Sequence, residues 1–280
     1  MVGWPWRHGL KERDMLRLKH DKASGILNLG PGQRLTRFWP SDDLTPFVEH
    51  YWIVRWNVPA PQIAETLPYP SVHMVLEEGR SEVVGVMRGK FSRVIEGCGR
   101  VVATKFRPGG FRAFVDRPVA AFSDRRWPVT SVFGGSVDGF DAEVLAHDDD
   151  LEAAKAIESF LRSIGPLASD AMALAGAITA RIAEDRTITR VDQIAGEFAM
   201  TARQMQRLFR EYVGVTPKWV IQRYRLIEAA ERLAAGTVAD FAGLALDLGY
   251  ADQAHFIRDF KKIVGRAPAG FARSIRERRE

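Results

Sequence analysis

Residues 194–217 read IAGEFAMTARQMQRLFREYVGVTP, and residues 244–268 read LALDLGYADQAHFIRDFKKIVGRAP. The two stretches are one pattern written twice. Arg207, Phe209, Val213, Gly214 and Pro217 recur 51 positions later as Arg258, Phe260, Val264, Gly265 and Pro268. Upstream, Ile194-Ala195 recurs as Leu244-Ala245 at an offset of 50, so the second copy holds one extra turn residue. Each copy predicts a short helix, a tight turn and a second helix. In the first, Val191, Ile194, Ala195 and Phe198 form an apolar face, Ala199-Met200 turn the chain, and Thr201 caps a helix whose inner positions are Met205, Leu208 and Phe209. In the second, Gly249 takes the turn, Asp252 the cap, and Phe256 and Phe260 the inner face. A small residue at Ala195 and Ala245 lets the two helices of each unit cross closely.

Between the copies, Pro217 to Ala235 reads as a single helix, with Trp219, Val220, Tyr224, Ile227 and Leu233 placed to be buried by both units. At 1.5 Å per residue, about 18 residues span roughly 27 Å. With the width of a helix added, that approaches the roughly 34 Å between successive major-groove faces of B-DNA.

Charge follows the repeat. Residues 169–280 carry 18 Lys/Arg against 14 Asp/Glu, whereas residues 1–168 carry 22 against 21. Between Ala202 and Arg225 lie Arg203, Arg207, Arg210, Lys218, Arg223 and Arg225 against the single acid Glu211, a cluster suited to neutralising phosphates.

The repeated pieces resemble the AraC/XylS family of bacterial transcriptional regulators over roughly residues 170–273. The likeness rests on Ile194-Ala195, on Thr201 to Arg210 ending Arg207-Leu208-Phe209-Arg210, and on Gly214-Val215-Thr216-Pro217. It continues through Tyr224-Arg225-Leu226 with Ala229-Ala230, Leu244-Ala245, Leu248-Gly249-Tyr250, Asp252 to Phe256, Phe260-Lys261-Lys262, and Gly265 with Pro268. The resemblance implies a transcription regulator whose partner is double-stranded promoter DNA. RNA polymerase, a small-molecule effector and a second copy of the chain are the further partners it implies. Two departures stand out. Ala199 occupies a turn position where glycine is common, at a cost of about 1 kcal/mol if its φ is positive. In the second unit Ala254 and Ile257 occupy outward positions, which suits thymine methyls or backbone shape more than donor–acceptor readout.

With Met205, Leu208 and Phe209 inward, helical geometry turns Arg203, Gln206, Arg207 and Arg210 outward. By the resemblance, Arg203, Gln206 and Arg207 fall on base-reading positions, and their chemistry fits: Arg bridges guanine O6 and N7, Gln bridges adenine N6 and N7. The corresponding base-reading set in the second unit is Gln253, Ala254, His255, Ile257 and Arg258. Arg258 has a structural alternative, an ion pair with Asp240 or Asp247. Thr201, Arg210, Lys218, Arg223, Lys261 and Lys262 are expected at phosphates.

At 280 residues the chain is long for one domain, and 46% hydrophobic with 27% charged residues is an ordinary globular balance. The fold class expected is α+β. An N-terminal β-sandwich or barrel-like domain leads through a linker helix to an all-α domain with two helix-turn-helix units. The expected division is a poorly ordered N-terminus at residues 1–20, a β-rich regulatory domain at 21–138, a helical linker at 139–168, and the DNA-binding domain at 169–280.

In the β-rich part, strands are expected at His50–Asn57, Val72–Glu77, Glu82–Met87, Phe91–Glu96, Arg100–Phe106 and Phe111–Val115, separated by turns such as Glu78-Gly79 and Pro108-Gly109-Gly110. Its aromatic residues either build a core or line an effector pocket, for which Trp52, His73, Phe106, Arg107 and Trp127 are candidates, with Glu65 as a further polar anchor. Helical periodicity begins past Phe140. In Asp150–Ile164 a stripe of Leu151, Ala154, Ile157, Leu161 and Ile164 would pack on the β-domain or against a second chain.

Other function classes find little support. Cys98 is the sole cysteine, so no internal disulfide and no Cys-based zinc site forms, which fits a reducing cytoplasm. It also weighs against the alternative of an enzyme or DNA repair protein carrying this module, since the repair domain of that combined type resembles a four-cysteine zinc site with a nucleophilic cysteine. There is no Gly-rich phosphate loop, nucleophile elbow or pair of catalytic carboxylates, and no metal or cofactor is expected. Nothing in the sequence approaches the roughly 20 apolar residues of a membrane span, and Met1 to His20 lack the apolar stretch of an export signal.

Overall fold

A computed structural model describes residues 26–28, 30–137, 139–238 and 240–277, so the expectation for residues 1–20 lies outside the described residues. Seven strands form one antiparallel sheet: β1 (Ile26–Asn28), β2 (Gln33–Phe38), β3 (Val48–Thr66), β4 (His73–Leu76), β5 (Glu82–Val84), β6 (Phe91–Phe106) and β7 (Arg126–Pro128). Their order is β1-β3-β6-β4-β5-β7, with β2 also paired to β3.

The two long central strands explain the barrel-like form. β3 and β6 run alongside each other from Val48↔Phe106 to Thr66↔Phe91, with the register broken between Val58 and Gln62. Opposite the break stand Gly97, at φ 61°, and Gly99, on which the Trp56 ring sits so closely that a Cβ would lie 2.1 Å from it. A bulge facing glycines bends both strands at one level. The sheet therefore folds over itself, and Arg93, beyond the bend, ion-pairs with Glu77 at the end of β4. The Phe91–Glu96 and Arg100–Phe106 segments are thus one strand bent in the middle. Phe111–Val115, expected as a strand, is a 3-10 helix over Gly110–Phe114, because the preceding Gly109, at φ 92°, turns the chain out of extension.

Ten α-helices are described: α1 (Val129–Phe133), α2 (Phe140–Ala146), α3 (Asp150–Ile164), α4 (Asp170–Glu184), α5 (Val191–Glu197), α6 (Ala202–Tyr212), α7 (Pro217–Ala235), α8 (Phe241–Asp247), α9 (Gln253–Val264) and α10 (Pro268–Arg276). Asp149 caps α3 through its side chain and Gly165 ends it in the left-handed conformation. The face of α3 built from Ala153, Ala154, Ile157, Phe160 and Leu161 is buried. Its stripe is spent inside the chain, where Phe160 stacks on Phe140 and Arg55 of β3 ion-pairs with Asp150. The stripe therefore packs within the chain rather than against a second one.

One apolar core runs without interruption from the sheet, through Phe106, Phe111 and Phe122, into α4 to α7 at Ile178, Met205, Phe209 and Val220. A second core, including Leu226, Leu244, Phe256, Phe260 and Phe271, holds α7 to α10 together and takes in Leu67 from the end of β3. No helix among the described residues is long and apolar enough to cross a membrane.

Candidate nucleic-acid interface and the cavity behind it

The sequence repeat is a structural repeat. After α5, Ala199 adopts φ 50° and Met200 N–H donates to Ala195 O at 2.9 Å; after α8, Gly249 adopts φ 69° and Tyr250 N–H donates to Ala245 O at 2.9 Å. Both turns thus close on the small residue that the sequence repeats, and Ala199 does sit at positive φ. Thr201 and Gln204 then cap α6 reciprocally, the Thr201 hydroxyl accepting Gln204 N–H and the Gln204 side chain accepting Thr201 N–H. Asp252 caps α9 by accepting His255 N–H at 2.7 Å. Each unit ends at a glycine of positive φ, Gly214 or Gly265, and the next helix starts at Pro217 or Pro268.

On α6, Met205 and Phe209 are fully buried, while Arg203, Gln206, Arg207 and Arg210 are exposed. The latter four follow the spacing i, i+3, i+4, i+7 and make one polar face. None of the four enters an ion pair among the described residues. Lys218, in the first turn of α7, is exposed as well. The positions of α9 equivalent to that face are Ala254, Ile257, Arg258 and Lys261. Ile257 is half-buried and packs on the second core, whereas Ala254, Arg258 and Lys261 are exposed beside Gln253, His255 and Lys262. The two carboxylates weighed as partners of Arg258 are engaged elsewhere: Asp240 caps α8 and Asp247 pairs with Arg232 at 2.8 Å.

Arg223 corrects the sequence reading. It is 1% exposed, lies over the Trp219 ring at 4.7 Å, and donates from Nη2 to Arg88 O at 2.7 Å. Burial pushes its guanidinium down to about 10. A group so enclosed cannot meet a phosphate; it ties α7 to the loop after β5. Arg225 is likewise buried, 4.2 Å over the Tyr250 ring. Charge counting along the sequence could not separate these two from the exposed arginines, but helical phase places Arg223 with buried Val220 and Ile227, and Arg225 with buried Ile221 and Ala229.

The back of α6 is gripped by the sheet domain. Arg112, in the 3-10 helix, pairs with Glu211 at 2.8 Å, and Ser123 Oγ donates to Gly214 O at 2.6 Å. Gly214 has φ 90°, and a Cβ there would lie 2.9 Å from Ser123 Oγ and 3.0 Å from Val119, so this contact needs glycine twice over. Arg203, Gln206, Arg207 and Arg210 stay exposed beside this contact.

Inside the folded sheet is a cavity of about 250 Å³. Trp52, His73 and Glu65 line it, while Phe106, Arg107 and Trp127 do not. Phe106 is fully buried in the core beside Phe111 and Phe114, Arg107 is exposed and donates from Nε to Thr45 O, and Trp127 packs on Phe122 under Arg117. The Trp52 indole donates to His73 Nδ1 at 3.2 Å, and burial with nearby Lys105 and His50 holds His73 down to about 3, hence neutral. Glu49 pairs with Lys105 at 2.8 Å; burial pushes that carboxyl up, but Lys105 and His50 outweigh it and hold it well below the carboxylate range. Arg37, Ser71, Glu77, Arg93 and Lys105 also line the cavity and went unremarked in the sequence reading.

Two helix-turn-helix units sharing a central helix, each with one apolar and one exposed face, define a DNA-binding module of the double type. Residues 194–274 match the family described as a helix-turn-helix domain, and residues 36–128 match a domain of unknown function, DUF6597. The probable transcription factor PqrA of Proteus vulgaris is 33% identical over 82 residues, which cover 29% of this chain and 66% of that protein. The transcriptional activator RhaS of Pectobacterium atrosepticum is 29% identical over 87 residues, 31% of each chain. The chain thus spans under two thirds of the first of these relatives and about a third of the second, and the C-terminal part is an AraC-type helix-turn-helix domain. A solved structure of ToxT from Vibrio cholerae aligns over 79% of this chain and 97% of its own at 13% identity, with a TM-score of 0.40.

Proposed function

We propose that the chain is a sequence-specific DNA-binding regulator of transcription, working in the cytoplasm, in which residues 169–280 bind promoter DNA and residues 21–138, with the helices of 139–168 packed on them, modulate that binding. The observation that carries the reading is the exposed Arg203, Gln206, Arg207, Arg210 face on the second helix of a repeated helix-turn-helix unit. Arg203, Gln206 and Arg207 read base edges in one major groove. In the adjacent groove Gln253, Ala254, His255 and Arg258 do so with fewer donors, and Ile257 offers only part of its surface. Arg210, Lys218, Lys261 and Lys262 meet phosphates, as does Thr201 from its cap position.

The cavity supports a regulatory role because its wall is also a contact with the DNA-binding helices. Tyr69 and Leu67 line it, Tyr69 packs edge-on against Tyr224 of α7 at 6.1 Å, and Leu67 enters the second core. A small effector in the cavity is therefore the modulating partner. RNA polymerase and a second copy of the chain are the other partners such a regulator implies.

The test is selection of bound sequences from a random duplex pool at near-physiological salt, followed by affinity for the selected site and for scrambled DNA. Two half-elements about one helical turn apart, bound about a thousandfold or more over scrambled DNA, are expected. Uniformly weak binding that tracks salt alone, with and without candidate effectors, overturns sequence-specific readout.

A further inference from the structure

The cavity is lined by several charges, and among its lining cations Arg37 alone has no carboxylate within ion-pair distance among the described residues. Lys105 is held by Glu49 at 2.8 Å, Arg93 by Glu77, and Arg80 and Arg126 by Glu82 at 3.2 and 3.1 Å. Glu65 is engaged by Lys90. Arg37, on β2, has no carboxylate partner among the described residues, and its Nε is buried without a hydrogen bond. The Ser71 hydroxyl on the same lining is also buried without one. A buried donor left unmatched in a native protein is costly, and a charged one more so, which marks a place for an acceptor from outside the chain.

The remaining surface sets the body of that ligand. Arg37 lies directly across the strand pair from Trp52, and Trp56, Val54, Phe91 and Ile95 continue the wall. These are flat or branched apolar side chains, suited to a ring-bearing molecule. A sugar would need many free polar partners, and most polar groups here already satisfy each other. A cation would find every lining carboxylate already occupied.

We infer that the cavity takes a small organic acid with an apolar, ring-bearing body, its carboxylate paired with Arg37, with the Ser71 hydroxyl a second unmatched donor on the same lining. This rests on the reading of the N-terminal domain as an effector-binding domain. An Arg fork matches a carboxylate bidentately, so the preference falls on the acid over its neutral amide.

The experiment is calorimetry on the full chain with three probes of one shape: 2-naphthoate, 2-naphthamide and 2-naphthylmethylammonium. Naphthoate is expected to bind on the order of tenfold to a hundredfold more tightly than the amide, and the ammonium most weakly. In Arg37→Gln the acid should fall to the level of the amide, while amide binding stays as in the parent, which also shows that the variant is folded. Equal binding of acid and amide by the parent chain, or a preference that survives Arg37→Gln, overturns the organic-acid assignment and leaves effector binding standing. Binding of none of the three overturns both.

Discussion

Arg223→Met separates a buried tie from a DNA contact. The substitution keeps most of the aliphatic stem and removes the guanidinium. It deletes the 2.7 Å hydrogen bond to Arg88 O, worth about 1.5–3 kcal/mol for a charged donor, and the contact with the Trp219 ring, worth about 0.5–2 kcal/mol. Against that loss stands relief of a burial cost, since Nε and Nη1 of Arg223 make no hydrogen bond among the described residues. The net expectation is a destabilisation of about 1–3 kcal/mol, a fall in Tm of roughly 2–5 °C for a chain of this size. The assay pairs thermal unfolding with DNA affinity measured across a salt series. A lost phosphate contact lowers the slope of log K against log salt by about 0.9, and Lys218→Ala should do so with little change in Tm. Arg223→Met should lower Tm and leave the slope alone. If it instead lowers the slope by that amount with Tm unchanged, the burial argument is wrong.

Arg207→Ala should cost about 1–3 kcal/mol against the selected site and relax preference at one base position, read by binding to a panel of single-base variants. Gly249→Ala should lower stability by about 1–2 kcal/mol or more, because φ is 69° and a Cβ would lie 2.5 Å from Thr189, whereas Ala199→Gly should be neutral or slightly stabilising; denaturant midpoints decide both. For pH, the folded-state value of His73, about 3, lies below its ordinary 6.5, so the unfolded chain takes up the proton first. The stability it supports is complete above about 6.5 and is lost as pH falls from there toward 3. Unfolding curves between pH 7 and pH 5 should therefore be flatter for His73→Asn than for the parent, and equal slopes would refute the assignment.

The C-terminal half was legible because its information is local and repeated. Caps, turn residues and helical period all fall within one unit, and the second copy checks the first. α7 was bounded correctly at Pro217 and Ala235 for the same reason: a proline at its first turn and Gly236 after it leave little choice. The sheet domain was less legible because its decisive pairings are distant in sequence. β2 carries four polar or charged residues among its six, so it offers no apolar alternation, and its assignment depends on Trp56, Val54 and Trp52 standing opposite. The bend in β6 is a gap of Gly97, Cys98 and Gly99 that reads as a turn between two strands until β3 bends with it. Arg223 was misread because charge alone does not report which way a helix faces.

The placement of the cavity constrains how an effector could act. The arginine face of α6 is exposed already, so filling the cavity is not needed to uncover it. What the cavity wall does touch is the second unit: Glu65 reaches Arg266, and Leu67 sits in the core shared by α7 to α10, while Lys90, the partner of Glu65, lies against Gly265 at the end of α9. The first unit, by contrast, is held by Arg112, Val119 and Ser123, none of which lines the cavity. A ligand can shift an equilibrium only through contacts that differ between its states. The contacts available here differ between the units, so an effector would reposition α9 against a fixed α6 and alter the spacing of the two recognition helices. On the proposed function, the second helix, with Ala254 and Ile257 in place of Arg203 and Gln206, brings the weaker base chemistry of the pair. Regulation through that unit would therefore tune affinity while the first unit keeps the register on DNA.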